Sequence, residues 1–230
     1  MLLRPHQALQ IEQRRVGPER TPLLIIDSLV DDPDRLVRKA QRAHFAPQGA
    51  YFPGLRARAP LSYEAFVEQA LSPLLSECFG LPAGRLHFSM CHYSLVTLAP
   101  ERLQPLQQIP HVDSTDSLGL ASVHYLFKGP WGGTDFYRHR ATGQSVIDAA
   151  SSDRYFAALQ SEMQSHRSGG YINGDTDCFE RIGGVEAAYN RIVIYPRNLL
   201  HSGRIDNAQL PPTDPIQGRL SINCFIDAVV

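Results

Sequence analysis

Apolar residues change their spacing along this chain, and the change divides it. Near the start, "TPLLIIDSLV" is an apolar, β-rich run of strand length. The next segment, "DDPDRLVRKAQRAHF", places Leu36, Val37, Ala40 and Ala43 at helical spacing, with Asp32 as N-cap and Pro33 at the first helical position. "YFPGLRARAP" carries a Pro-Gly turn signal. A second helix is predicted from about Ser62 through "YEAFVEQALSPLLSECF" to Gly80, with Pro73 as a point where it kinks or divides. From about Arg85 the pattern becomes that of short strands: "LHFSMCHYSLVTL", "LASVHYLFKG", "GGTDFYRH", "NRIVIYP" and "GRLSINCFIDAVV", separated by Pro, Gly, Asn and Asp. Between the third and fourth runs lies an insert. Its first part, "SSDRYFAALQSEMQSH", reads as a capped amphipathic helix, and its second, "RSGGYINGDTDCFERIGG", as a loop. The expectation is one domain over residues 1–230: a helical N-terminal support (1–84), then a β-sandwich or barrel core (85–230) with an insert at about 140–190. A loop of that length without secondary structure suits a lid, so Gly169 to Gly184 is expected to be mobile and to close over a site.

Composition narrows the function classes. With 22 Lys and Arg against 23 Asp and Glu, the net charge of −1 offers no electrostatic case for a nucleic-acid or membrane-surface partner. No apolar run approaches the ~20 residues needed to span a bilayer. The N-terminal "MLLRPHQALQIEQRR" lacks the apolar core of a secretory signal. Cys78, Cys91, Cys178 and Cys224 are scattered with no CxxC pair, which fits buried thiols in a reducing cytoplasm rather than a zinc site or disulfide framework.

The chemistry-bearing stretch is "IPHVDSTD". His111 and Asp113 are two residues apart and face the same way if the chain there is extended. Alone, the pair describes a polar loop as well as half a metal site. "NRIVIYPRNLLHSGRI" supplies a third donor, His201, after a strand and a short turn. Two imidazoles and one carboxylate with open positions opposite suit non-haem Fe(II). In "GRLSINCFI", period-2 alternation puts Arg219 and Ser221 on one face, with Asn223 next, and Leu220, Ile222 and Cys224 on the other. One register leaves Arg219 in solvent. The other buries a guanidinium, which then calls for an anionic partner held through two parallel hydrogen bonds.

The order "HVD", "HYLFKGPWGGTDFYRH", "IVIYPRNLLHSG", "RLS" resembles the Fe(II)/2-oxoglutarate-dependent oxygenase superfamily, most of all its prolyl-hydroxylase-like branch. The resemblance covers roughly Phe88 to Val230. It implies a mainly β fold with flanking helices: a distorted double-stranded β-helix (jelly roll, cupin-like) braced by N-terminal helices. It also implies Fe(II) on His111, Asp113 and His201, 2-oxoglutarate as cosubstrate on Arg219 and Ser221, and O2 as oxidant. The segment "DNAQLPPTDPIQ" makes the gap between His201 and Arg219 longer than is usual in that family, and many relatives in the branch carry lysine at the anchor position. Tyr93 and Tyr125 are candidates for hydrogen bonds to the cosubstrate, whereas His92 and His124 belong to the opposite faces of their strands. Trp131 packs a turn. Arg138 and Arg140, beside His139, and Arg56 and Arg58 are either solvated charges or contacts to an acidic substrate group. The implied activity is a cytoplasmic dioxygenase that hydroxylates a C–H bond of a small-molecule, amino-acid or peptide substrate and releases succinate and CO2. Asp113 favours hydroxylation, because family halogenases replace that carboxylate with a small residue. The alternative is a cupin-like metal-binding protein that is non-catalytic or independent of 2-oxoglutarate.

Overall fold

The computed structural model describes residues 2–49, 51–82, 84–164 and 169–229. In chain order, the described elements are strands β1 (Gln10–Val16) and β2 (Thr21–Asp27), helix α1 (Asp34–Ala40), strands β3 (Ala46–Pro47) and β4 (Gly54–Arg58), helix α2 (Leu61–Phe79), and strands β5 (Arg85–Val96), β6 (Leu120–Tyr125) and β7 (Thr134–His139). Helix α3 (Ser152–Met163) and strands β8 (Phe179–Val185), β9 (Ile192–Pro196), β10 (His201–Gly203) and β11 (Leu220–Val229) follow. The strands form two antiparallel sheets, one ordered β1-β2-β9-β6-β11-β5-β4-β3 and the other β10-β7-β8.

Alternation within the large sheet creates two separate cores. On β11, Leu220, Ile222, Cys224 and Ile226 pack with Tyr63, Phe66, Val67, Leu71 and Leu75 of α2 in one apolar cluster. On the other face, Ala121, Val123 and Tyr125 of β6 and Val193 and Tyr195 of β9 meet Phe136 of β7 from the small sheet. Strand side chains point to opposite faces with period 2, so a central strand with apolar residues on both faces joins both cores. α2 runs unbroken through Pro73 and ends on Gly80, whose φ of 69° is the left-handed cap glycine adopts without strain. No described helix is long and apolar enough to cross a membrane.

Two expectations from the sequence are corrected here. The N-terminal third, expected as a helical support with one early strand, contributes four strands to the large sheet. β1–β4 belong to the same sheet as β5, β6, β9 and β11, and among the described residues of that third α1 and α2 are the α-helices. "QIEQRRV", the edge strand β1, escapes recognition because almost every side chain on it is exposed, and charge on an edge strand deters further pairing. The second correction concerns the insert. Its helix is α3, but the glycine-rich part ends in strand β8, which pairs along β7 from His139↔Phe179 to Thr134↔Val185. Of the segment assigned to a loop and lid, residues 167 and 168 lie outside the described residues, as do 165 and 166 of the expected helix.

Candidate metal centre and anion pocket

His201 opens β10, and His111 pairs with it as an isolated antiparallel bridge, each backbone N–H donating to the other's carbonyl at 3.0 Å. Asp113 N–H donates to Arg197 O at 2.8 Å, fixing the HxD turn to the end of β9. Two segments 90 residues apart in sequence are thereby locked side by side, and the ligand atoms of His111, Asp113 and His201 lie within 4.8 Å of one another. Asp113 Oδ1 is 3.6 Å from His111 Nε2, and Oδ2 is 3.4 Å from His201 Nε2. Metal–ligand bonds of about 2.1 Å at right angles place neighbouring donors about 3 Å apart, so the set fits a divalent ion with small adjustments.

Protonation favours the same use. His201 Nδ1–H donates to Leu199 O at 2.8 Å, which leaves the Nε2 lone pair for a ligand. His111 keeps 49% of its side-chain surface open to the cavity. The protein around the ring, and then the neighbouring His201, lower its pKa, with Asp113 acting against them, which favours the neutral imidazole a metal needs.

The triad lines a cavity of about 110 Å³ between the two sheets, and Arg219 lines it too. Arg219 is 6% exposed. Its Nε donates to Trp131 O at 3.0 Å and its Nη2 to Gly133 O at 2.8 Å. The Phe127 and Tyr125 rings lie 5.6 and 6.0 Å from its guanidinium carbon. Burial lowers its pKa, and the groups that act against this are tyrosines, not carboxylates. Among the described residues it forms no ion pair, so a full positive charge is buried in the cavity wall without a counterion. The long segment before it closes in a turn on Asp214, whose Oδ1 accepts Ile216 N–H at 2.9 Å and Gln217 N–H at 3.0 Å. The extra residues therefore do not displace the arginine from the start of β11.

Other expected site residues separate. Ser221 shares Arg219's face, but its hydroxyl donates to Asn223 Oδ1 at 2.6 Å. Tyr125 lies beside Arg219 with its hydroxyl bonded to Thr134 Oγ1 at 2.7 Å, and it is Thr134 that reaches the cavity. Tyr93 is not brought to the site. It faces the helix layer and donates to Leu36 O at 2.9 Å. On β5 the face toward the cavity is the one carrying Met90 and Val96, so the strand's alternation assigns Tyr93 to the other side. His124 also faces the helices, between Tyr63 and Asn190. Sequence reading missed Tyr195, whose ring lies 4.7 Å from that of His201, and Tyr171. The alternation of "IVIYP" held a signal for Tyr195; nothing local marks Tyr171.

A family profile described as "Family of unknown function (DUF6445)" matches residues 7–226. No curated protein matches the chain by sequence. Among solved structures, HygX from Streptomyces hygroscopicus, with nickel and 2-oxoglutarate bound, aligns with a TM-score of 0.54 at 12% identity over 92% of this chain and 84% of that one. SnoN, a non-haem α-ketoglutarate-dependent epimerase from nogalamycin biosynthesis, aligns with 0.54 at 16% identity over 91% and 80%. EctD from S. alaskensis, with 2-oxoglutarate and 5-hydroxyectoine, aligns with 0.50 at 11% identity over 99% and 87%. At these identities the likeness is one of fold: the chain has the jelly-roll architecture of the 2-oxoglutarate-dependent oxygenases.

Proposed function

We propose that this chain, which belongs to the DUF6445 family, is an Fe(II)- and 2-oxoglutarate-dependent oxygenase that hydroxylates a C–H bond of a small-molecule, amino-acid or peptide substrate. The observation that carries the proposal is Arg219: a buried guanidinium, without a counterion among the described residues, in the same cavity as the triad. Burying an unpaired charge costs several kcal/mol, and a carboxylate ligand offsets that cost. A 2-His-1-carboxylate triad without such an arginine would serve a 2-oxoglutarate-independent metal protein equally well.

His111, Asp113 and His201 would hold the metal, and Arg219 the distal carboxylate of 2-oxoglutarate. Bound there, Fe(II) with 2-oxoglutarate and O2 would supply the oxidising equivalent, with succinate and CO2 as co-products. The protein's own contribution is orientation and exclusion of water. Leu199 O keeps the His201 ring turned with Nε2 inward. Trp131 O and Gly133 O hold the Arg219 fork at Nε and Nη2, leaving Nη1 for a ligand. Phe127 and Tyr125 beside the guanidinium keep its surroundings apolar, which strengthens any ion pair formed there. Asp113 supports hydroxylation as the outcome, since it retains the carboxylate ligand. Placement in the prolyl-hydroxylase-like branch rests on the motif order alone.

The test is anaerobic addition of Fe(II) and 2-oxoglutarate to the purified protein. A metal-to-ligand charge-transfer band in the visible is expected, followed on aeration by succinate release that a substrate accelerates. Iron binding without that band on saturating 2-oxoglutarate would overturn the proposal in favour of a 2-oxoglutarate-independent metal protein.

A further inference from the structure

Four arginines that the sequence offers as substrate contacts, Arg56, Arg58, Arg138 and Arg140, carry charge that the cosubstrate reading does not use. Three of them are neutralised within the protein. Arg58 pairs with Glu64 at 3.2 Å, Arg138 with Glu180, donating from Nε at 2.9 Å, and Arg140 with Asp175 at 3.2 Å. Arg56 differs. It lies on β4 and lines the cavity with the triad. Its Nε is buried with no hydrogen-bond partner, and it forms no ion pair among the described residues. The Phe52 ring lies 4.4 Å from its guanidinium carbon, a cation–π contact that supplies no hydrogen bond. Desolvation lowers its pKa, and Asp113 is the carboxylate that acts against this. A divalent ion on the triad would claim the Asp113 charge, so loading the metal leaves Arg56 less compensated still.

Arg56 and Arg219 are also well separated in the sheet. β5 lies between β4 and β11, and Arg56 pairs with Ser94, which in turn pairs with Ser221. Strand spacing and rise put the two arginine backbones about 12 Å apart. The cavity therefore has two cations that form no ion pair among the described residues, and the cosubstrate accounts for one.

We propose that Arg56 recognises a carboxylate on the primary substrate, so that the substrate class is a small organic acid. This rests on the reading of the triad and Arg219 given above. A single guanidinium matches a single negative charge and binds a carboxylate through two parallel hydrogen bonds. Apart from Arg219 and the histidines, no second cationic side chain among the described residues lines the cavity to share a dianionic phosphate. Phe52, stacked on Arg56, and Tyr51 beside it offer apolar surface for the body of the substrate.

The experiment uses the full chain loaded with Ni(II) and saturating 2-oxoglutarate. Aryl carboxylates and N-acetyl amino acids, each with its neutral primary amide, and phenyl phosphate are titrated with ligand-detected NMR as the readout. Acids should bind at least about tenfold more tightly than their amides. Arg56→Gln should abolish that preference, and Arg56→Lys should restore part of it, because an ammonium keeps the charge but not the fork. Fe(II)/2-oxoglutarate charge-transfer titrations should give the same cosubstrate affinity, within about twofold, for Arg56→Gln and wild type, and this also verifies that the variant is folded. Equal binding of acids and amides, no binding of any acid, or a preference that survives Arg56→Gln would each overturn the inference. Phenyl phosphate outcompeting every acid would overturn the carboxylate assignment. Loss of 2-oxoglutarate binding in Arg56→Gln but not in Arg219→Ala would make Arg56 the cosubstrate anchor. That last outcome would also move the cosubstrate anchor away from Arg219, whereas the others leave the oxygenase reading intact; that reading fails separately if wild type binds no 2-oxoglutarate.

Discussion

His201 and Arg219 share a cavity but should fail differently when removed. His201 offers a lone pair to the metal because Leu199 O holds its other nitrogen, whereas Arg219 has no contact with the ligand set. His201→Ala is expected to lower iron stoichiometry sharply. Arg219→Ala should keep iron but bind 2-oxoglutarate at least about tenfold more weakly, since losing a charged hydrogen bond costs on the order of 1.5–3 kcal/mol. Iron analysis and the charge-transfer titration on each folded variant measure the two effects. His124 carries a different prediction. Asn190 Nδ2 donates to Val30 O and its Oδ1 accepts Val30 N–H, so His124 Nε2–H donates to that Oδ1 while Nδ1 accepts from Tyr63. Burial holds its pKa down to about 4 against an ordinary 6.5, opposed by the Asn190 hydrogen bond. The unfolded chain thus takes up a proton at His124 that the folded protein refuses between pH 6.5 and about 4. Its contribution is complete above 6.5 and is lost as pH falls. From pH 7 to 5 the loss should be about 2 kcal/mol. Urea unfolding should show a stability difference between the two pH values that is smaller by about that amount in His124→Phe, whatever the variant's absolute stability.

Among the elements, the turn before β7 bears most directly on the site. A Cβ on Gly133 would lie 1.9 Å from Val185 O, and one on Gly132, whose φ is 70°, 1.9 Å from Arg204 O. Both obstacles are backbone, which cannot swing aside, and Gly133 O is the acceptor that orients Arg219. Gly133→Ala should therefore destabilise the protein by at least about 2 kcal/mol and weaken 2-oxoglutarate binding with no change at the metal. Denaturant unfolding and the cosubstrate titration read the two losses, and a neutral variant would show that the approach is not tight. The lid expectation changes at this scale as well. β8 occupies part of the segment, and Tyr171 is held by Asn207, whose Oδ1 accepts Tyr171 N–H at 2.7 Å and whose Nδ2 donates to Tyr171 O at 2.9 Å. Tyr171 also donates to Leu98 O at 2.7 Å, so this part of the segment is a fastened wall of the cavity.

At the scale of the molecule, ligand binding between the two sheets should appear as stability. A ligand at 100 times its Kd adds about 2.7 kcal/mol, or roughly 5–10 °C in Tm for a domain of this size. Fe(II) with 2-oxoglutarate should raise the wild-type midpoint under anaerobic conditions. Arg219→Ala should keep the increment from the metal and lose that from the cosubstrate, as read by differential scanning fluorimetry. Local pattern was enough to determine much of this protein: the strand runs after Arg85, α1, α2 and α3, the two faces of β11, and the donor types of His111, Asp113 and His201, because period and side-chain chemistry are properties of a few neighbouring residues. Only the tertiary structure decided the rest. β8, "FERIGGV", carries two glycines and little alternation, and becomes a strand because β7 supplies its hydrogen bonds. The exposed edge β1 is likewise completed by β2. Tyr93 and Tyr125 look alike in sequence, yet the face each strand turns toward the helices sends one to Leu36 and leaves the other beside Arg219. Whether a charge is neutralised depends on partners distant in the chain, Glu180 for Arg138, Asp175 for Arg140 and none among the described residues for Arg56, and spacing along a sequence holds no information about such meetings.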